Sequence, residues 1–219
     1  MFDAIIVMAG SGQRANLKYN KAFYEIFGKP VFMYSVEKFR SIRQCANIIL
    51  VVNEKEIEDV KKYIKDEIIV IGGKTRLESV YNGTQKVLSD FVLVHDAARP
   101  NVKIEDIIKV YENLKDYDAS ALGVKPSNTI KEISGSLFKK TLNRDELVEV
   151  QTPQGFKSKI YINAIKKAIN DDAIIYDDIQ ILEKYENISA KLVLGSYSNI
   201  KITNPIDFHI IELLMREGL

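Results

Sequence analysis

The chain reads as an α/β protein with a mostly parallel sheet flanked by helices. Short apolar runs alternate with amphipathic segments through its first half, the sequence form of βαβ units. Glycine turns carrying cations follow two of those runs, and a sparsely apolar hairpin pattern interrupts the second half. With 219 residues the chain can bury one sizeable core, so a single domain spanning residues 1–219 with a β-arm insertion at about 126–150 is expected.

Composition narrows the function classes. Lys and Arg number 31 against 30 Asp and Glu, so no global field favours nucleic acid or an anionic membrane, and local cations must do any anion binding. Cys45 is the one cysteine, which excludes an internal disulfide framework and a multi-cysteine zinc site and suits a reducing cytoplasm. No apolar run reaches the roughly 18 residues of a membrane span, and a strand begins within a few residues of Met1 where a signal peptide would carry its charged region. A soluble cytoplasmic protein without nucleic-acid or membrane partners is the expectation.

The first strand is Ala4-Ile5-Ile6-Val7-Met8, followed by Ala9-Gly10-Ser11-Gly12-Gln13-Arg14 and then Lys21. Glycines at a strand's carboxyl end let backbone N–H groups close around phosphate oxygens, and two cations add charge that a structural turn would not need. The string also fits a relaxed dinucleotide fingerprint, but Asn16 to Asn20 lacks a helical apolar period, the stretch Phe32 to Ser35 about 20 residues on holds no carboxylate, and no Walker Gly-Lys-Ser/Thr follows. A plain glycine turn with solvated cations is the alternative to a polyphosphate cradle.

Pro30 suits the first turn of a helix with Val31, Tyr34, Val36 and Phe39 inward. Ile48 to Val52 reads as a strand, Glu54 to Ile64 as an amphipathic helix, and Ile68 to Ile71 as the third strand. Gly72-Gly73-Lys74-Thr75-Arg76 then opens a helix whose Arg76 and Ser79 share one face near the amino terminus, where an anion or a polar base is favoured. Thr75 as cap with a solvated Arg76 would explain the same residues. The fourth strand, Phe91 to Val94, ends in His95-Asp96-Ala97-Ala98-Arg99-Pro100, which sets a carboxylate where a Mg2+ bridging nucleotide phosphates would need one. His95 suits a hydrogen-bonded structural role, and Arg99 can pair with Asp96 or hold a phosphate.

A helix from Ile104 to Leu114 and a strand from Ala119 to Val124 continue the series. Next come Thr129 to Ile133, a Ser134-Gly135-Ser136 turn and Leu137 to Leu142, a hairpin too poor in apolar residues to fold on itself, for which a second subunit is the natural support. Gln151-Thr152-Pro153-Gln154 returns the chain to the main body. Helices at Lys157–Ile169 and Asp177–Tyr185, a strand at Ala190–Leu194, and a last helix at Pro205–Met215 capped by Thr203 or Asn204 complete the chain. In Ile200-Lys201-Ile202 the lysine points away from the face its neighbours bury.

In this order the motifs Ala9 to Arg14 with Lys21, Gly73-x-x-Arg76-x-x-Ser79, Val94 to Pro100, Asn143-Arg144 through Gln151-Thr152-Pro153-Gln154, and Asn199 to Thr203 resemble the 2-C-methyl-D-erythritol 4-phosphate cytidylyltransferase family. The resemblance implies a Rossmann-like nucleotidyltransferase fold with a protruding β-hairpin dimerisation arm, hence a homodimer, and CTP and a sugar-alcohol phosphate as substrates with Mg2+ as cofactor. It also implies that Arg14 and Lys21 are catalytic, stabilising charge on the α-phosphate, with Ala9, Gly10, Ser11 and Gly12 as the triphosphate cradle. Gly73, Lys74, Arg76 and Ser79 fall at the cytidine segment, and Asp96 at the metal carboxylate. Ala97, Arg99, Thr129, Arg144, Thr152 and Lys201 fall at positions that, with Asp96, arrange the acceptor. Asn20 stands where the family has proline, Asn128 where aspartate is common, Tyr176 where threonine is frequent, and Ser198 where some members carry an acid. The chemistry expected is in-line attack by the acceptor's phosphate on CTP, with no protein nucleophile. Ribitol 5-phosphate cytidylyltransferase shares the CTP half and is the nearest rival; a nicotinamide-dependent oxidoreductase and an inactive nucleotide-binding regulator are further off.

Overall fold

The first strand, β1 (Phe2–Val7), is apolar on both faces and sits inside a seven-stranded sheet rather than at its edge. In this computed structural model, which describes residues 1–10 and 20–219, the strands run in the order β11-β7-β10-β6-β1-β4-β5. Here β4 is Cys45–Val52, β5 Ile68–Ile71, β6 Phe91–Asp96, β7 Ala119–Val124, β10 Glu149–Lys157 and β11 Lys191–Leu194. Pairings of β1 with β4 and β6, β4 with β5, and β7 with β11 are parallel, whereas β10 is antiparallel to both β6 and β7. The sheet is therefore mostly parallel and flanked by helices, as the alternating pattern predicts.

Side-chain alternation along β1 sends Phe2, Ala4 and Ile6 to one face and Ile5 to the other. On the first face they meet Phe32, Val36 and Phe39 of α1 (Val31–Arg40) and Ile107 and Val110 of α4 (Ile104–Asn113). On the second, Ile5 meets Val80 of α3 (Arg76–Thr84), Tyr161 and Ile165 of α5 (Ser158–Asn170) and Ile181 of α6 (Asp178–Glu186). Each large side chain so buried contributes about 1.5–3 kcal/mol. A third cluster packs Phe208 and Ile211 of α7 (Pro205–Glu217) against Ala98 and Ile202, which fixes the extended segment before α7 alongside the end of β6. The Ile202 amide donates to the Ala98 carbonyl at 2.8 Å. Asn204, not Thr203, caps α7, in a reciprocal pair with Asp207.

Two sequence expectations change. The helix expected at Glu54–Ile64 is a 3-10 turn, Glu54–Glu56, followed by the short α2 (Ile57–Val60). Its apolar period survives, with Val60 fully buried and Ile57 and Ile64 packed beside it, but Asn53 caps the tighter turn by accepting the Lys55 amide at 3.0 Å. The segment after Arg144 is a full strand, β10, that starts at Glu149 and splits the parallel strands. Pro153 and Gly155 hide it in the sequence. Pro153 lies within the register shift between Val150 and Gln154, where no ladder donor is needed.

A two-residue hairpin pairs β2 (Glu25–Ile26) with β3 (Lys29–Pro30). The arm pairs β8 (Lys131–Ser134) with β9 (Leu137–Thr141) around Gly135, whose positive φ of 58° suits glycine at this turn. All of β9 is exposed, including Leu137 and Phe138 at 73% and 80%.

Candidate active site

Strands β1, β4, β5 and β6 end at one sheet edge, and the order reverses about β1: the chain runs outward to β4 and β5, then returns to β6 on the other side. A crevice outside the carboxyl ends at such a switch point is where open α/β sheets bind ligands. There a cavity of about 540 Å³ is lined by Ala9 and Gly10 after β1, Asn53 after β4, Gly73 to Arg76 and Ser79 at the start of α3, Asp96 at the end of β6 with Ala97 and Ala98 beyond it, and Lys21 and Lys201. Four cations, Lys21, Lys74, Arg76 and Lys201, face one carboxylate, Asp96, among the described lining residues. In a chain of net charge +1, this local excess marks an anion site.

Asp96 is the hub. Lys201 Nζ lies 2.6 Å from Oδ2, Arg76 Nε 3.5 Å from Oδ1, and Arg99 Nε 3.8 Å from Oδ2. Burial alone would raise this carboxyl, but Arg76, Lys201 and Arg99 together hold it well below the usual carboxylate range, so it is an anion at any working pH. One carboxylate suits a Mg2+ ion, which takes one or two carboxylates and fills its remaining positions with water and phosphate oxygens. The described residues contain no cluster of three or more potential protein ligands for a closed cage.

The backbone of Asp96 is held from behind. Thr152 Oγ1 accepts the Asp96 amide at 3.1 Å. The Arg99 carbonyl, 3.2 Å from His95 Nε2, can only accept, so the neutral ring carries its proton on Nε2 and its Nδ1 accepts the Thr152 hydroxyl at 3.0 Å. Burial pushes His95 down to about 3, and it stands neutral as a structural bridge and not as a ligand. Thr152 is 4% exposed and both hydrogen-bonding directions of its hydroxyl are used. It does not line the cavity. Arg99 also stands just behind the lining, its Nη1 donating to the Asn199 carbonyl at 2.8 Å, while its buried Nε makes no hydrogen bond among the described residues.

The second glycine turn is shaped by its own side chains. Ser79 Oγ donates to the Thr75 carbonyl at 2.8 Å and accepts the Gly73 amide at 3.1 Å, and Glu78 accepts the Lys74 amide at 2.7 Å. Thr75 caps α3 by accepting the Glu78 amide at 3.1 Å, so the capping role read in the sequence is present. Arg76 is not merely solvated, since its Nη2 lies 2.6 Å from Asp178. Burial would lower the Arg76 guanidinium, but Asp178 and Asp96 raise it overall.

Lys21 sits in a 3-10 turn, Lys21–Phe23, and its Nζ donates to the Ile202 carbonyl at 2.6 Å. Asn20 orients that turn: its Oδ1 accepts the Ala22 amide at 3.0 Å, and its Nδ2 donates to the Met8 carbonyl at 2.7 Å and to Glu56 at 2.9 Å. Ser11, Gly12 and Arg14 lie outside the described residues. Thr129 and Arg144 are exposed on the arm side and do not line this chain's cavity; Arg144 Nη1 donates to the Ser127 carbonyl at 3.3 Å.

Sequence reasoning passed over Asn53 and Asp178. Asn53 follows a strand at the same edge as the glycine turns, a signal that would have found it. Asp178 comes near Arg76 only through the packing of α6 on α5, and no local spacing announces it.

The sequence model of the family described as 2-C-methyl-D-erythritol 4-phosphate cytidylyltransferase matches residues 2–217. A curated relative of that name from Clostridium novyi is 45% identical over 97% of this chain and 95% of its own length. A solved structure titled as a 4-diphosphocytidyl-2C-methyl-D-erythritol synthase from Anaerococcus prevotii superposes with a TM-score of 0.88 at 29% identity, covering 99% of this chain and 96% of that one. A Francisella tularensis 2-C-methyl-D-erythritol 4-phosphate cytidylyltransferase does so with 0.84 at 29% identity, covering 97% and 98%. A cationic cavity at the switch point of a mostly parallel sheet, matched along nearly the whole chain by these relatives, places the protein in the 2-C-methyl-D-erythritol 4-phosphate cytidylyltransferase family.

Proposed function

We propose that this chain transfers CMP from CTP to 2-C-methyl-D-erythritol 4-phosphate, releasing pyrophosphate and 4-diphosphocytidyl-2-C-methyl-D-erythritol in non-mevalonate isoprenoid biosynthesis. The observation that carries this reading is the cavity in which, among the described lining residues, four cations face a single carboxylate, within a chain that belongs to this family. A phosphate oxygen of the acceptor attacks the α-phosphorus in line; a P–O bond forms, the α–β anhydride bond breaks, and pyrophosphate leaves with the bonding pair. Both reactants are anions, so the protein's work is positioning and charge neutralisation.

Lys21, with Arg14, stabilises the charge that gathers on the α-phosphate. The Ala9 to Gly12 loop cradles the triphosphate, and Gly73, Lys74 and Arg76 hold the nucleotide's cytidine end, with Ser79 keeping their turn in shape. Asp96 would hold Mg2+, which when bound neutralises phosphate charge. Lys201 and Arg99 serve the acceptor's phosphate, a role supported by the Arg99 Nε that has no hydrogen-bond partner among the described residues. Thr152 and Ala97 shape that side. Thr129 and Arg144 would complete the site of a second copy, reached by the arm in a homodimer; the exposed Ile133, Leu137 and Phe138 supply the apolar surface such a contact needs.

The test is pyrophosphate release from CTP and Mg2+ with either 2-C-methyl-D-erythritol 4-phosphate or D-ribitol 5-phosphate. Release with the first alone is expected. Release with the second alone would keep the CTP chemistry and replace the acceptor, and silence with both would favour a binding protein without activity.

A further inference from the structure

Arg76 bridges two carboxylates that differ in kind. Asp96 faces the cavity and is shared with Lys201 and Arg99. Asp178 lies behind the wall, 1% exposed, and both its oxygens are committed: Oδ2 to Arg76 Nη2 at 2.6 Å, and Oδ1 to the Tyr161 hydroxyl at 2.7 Å. Its main chain is fixed as well. Gln154 Oε1, on β10, accepts the amides of Asp178 and Ile179 at 3.0 and 3.1 Å. Tyr161 is immobilised by stacking on Phe156 of the same strand, with ring centroids 4.2 Å apart. Starting α6 does not require the Asp178 side chain, because Asp177 caps that helix by accepting the Gln180 amide at 2.9 Å.

A buried carboxylate persists only when paired, and here its cationic partner is a residue of the cavity wall. Once Asp96 is engaged by ligands, Arg76 loses its forward partner, and what then keeps the guanidinium in place is the rear carboxylate. We propose that Asp178, braced by Tyr161 and Gln154, is a positioning residue that aims Arg76 at the bound nucleotide. This rests on the reading of the cavity as a CTP site. Asp178 touches no substrate itself and acts through the Arg76 guanidinium.

The test is a double-mutant cycle read by calorimetric CTP binding and by steady-state kinetics of the full chain. Asp178→Asn keeps the shape and removes the charge; it is expected to raise the CTP Kd and KM about tenfold while leaving the acceptor KM within about twofold. In an Arg76→Ala background the same substitution is expected to change CTP affinity by less than about twofold, because its target is gone. Equal effects with and without Arg76, or equal rises in both KM values, would overturn the proposal. If Asp178→Asn does not fold, Tyr161→Phe removes only the brace on Oδ1 and is expected to weaken CTP about threefold, again only with Arg76 present; unchanged CTP affinity there would equally sink the idea. Wild-type protein that binds no CTP would defeat the CTP reading and this role together, whereas wild-type binding with an additive cycle would defeat this role alone.

Discussion

Lys21 reaches the cavity because Asn20 ties the end of β1, the Lys21 turn and Glu56 together through three hydrogen bonds. The Lys21 ammonium donates to the Ile202 main-chain carbonyl at the cavity wall. Lys21→Ala is expected to lower kcat by about 100-fold or more, with CTP affinity changing less than tenfold, since its charge matters most where negative charge develops. Kinetics alongside direct CTP titration would check this, and a loss confined to binding would contradict it. His95 offers a stability prediction at the same scale. Burial depresses its folded-state value from 6.5 to about 3, so between those values the unfolded chain takes up a proton that the folded one refuses. Stability is therefore full above pH 6.5 and lost as pH falls toward 3. Between pH 6.5 and about 4.5 the loss should be roughly 2–3 kcal/mol, visible as a falling urea midpoint, and His95→Gln should flatten that slope.

At the scale of elements, the site depends on how closely strand ends approach. The Gly72 amide donates to the Val52 carbonyl at 2.8 Å, and a Cβ on Gly72 would stand 2.4 Å from the Ala9 Cβ and 3.0 Å from Ser79 Oγ. Gly72→Ala must therefore push the first glycine loop away from the second. Its expected cost is about 1–3 kcal/mol of stability with weaker CTP binding, measured by thermal unfolding and titration; an unaltered CTP affinity would show the two loops to be independent. The first half of the sheet was legible because each strand there is a bare apolar run ended by a polar turn, as at Ile68 to Gly72. β10 was not: Pro153 and Gly155 sit in its centre, and what makes it a strand is the pair of neighbours, β6 and β7, that flank it. The helix expected after β4 tightened into a 3-10 turn for a local reason, the Asn53 cap, that apolar periodicity does not register.

For the whole molecule, the proposed dimer gives the arm its purpose. Ile133, Leu137 and Phe138, exposed at 63%, 73% and 80%, are costly to leave in water on a two-stranded hairpin, and a second copy would cover them. Replacing Leu137 and Phe138 by Asp should shift sedimentation toward the monomer and depress turnover far more than CTP binding, because Thr129 and Arg144 would no longer reach a neighbouring site. A monomer that keeps full turnover would remove the arm from catalysis. The sequence by itself determined the α/β class, the two glycine turns, and the cations and carboxylate gathered at one strand edge, because strand polarity and local periodicity are written in consecutive residues. Only the tertiary structure decided that Thr152 and Ser79 spend their hydroxyls inside the protein, that Asn53 lines the cavity, and that Asp178 stands behind Arg76. Those facts depend on which distant segments the hydrophobic faces bring together, and Arg76 and Asp178 meet only because α3, α5 and α6 bury their apolar sides on one face of the same sheet.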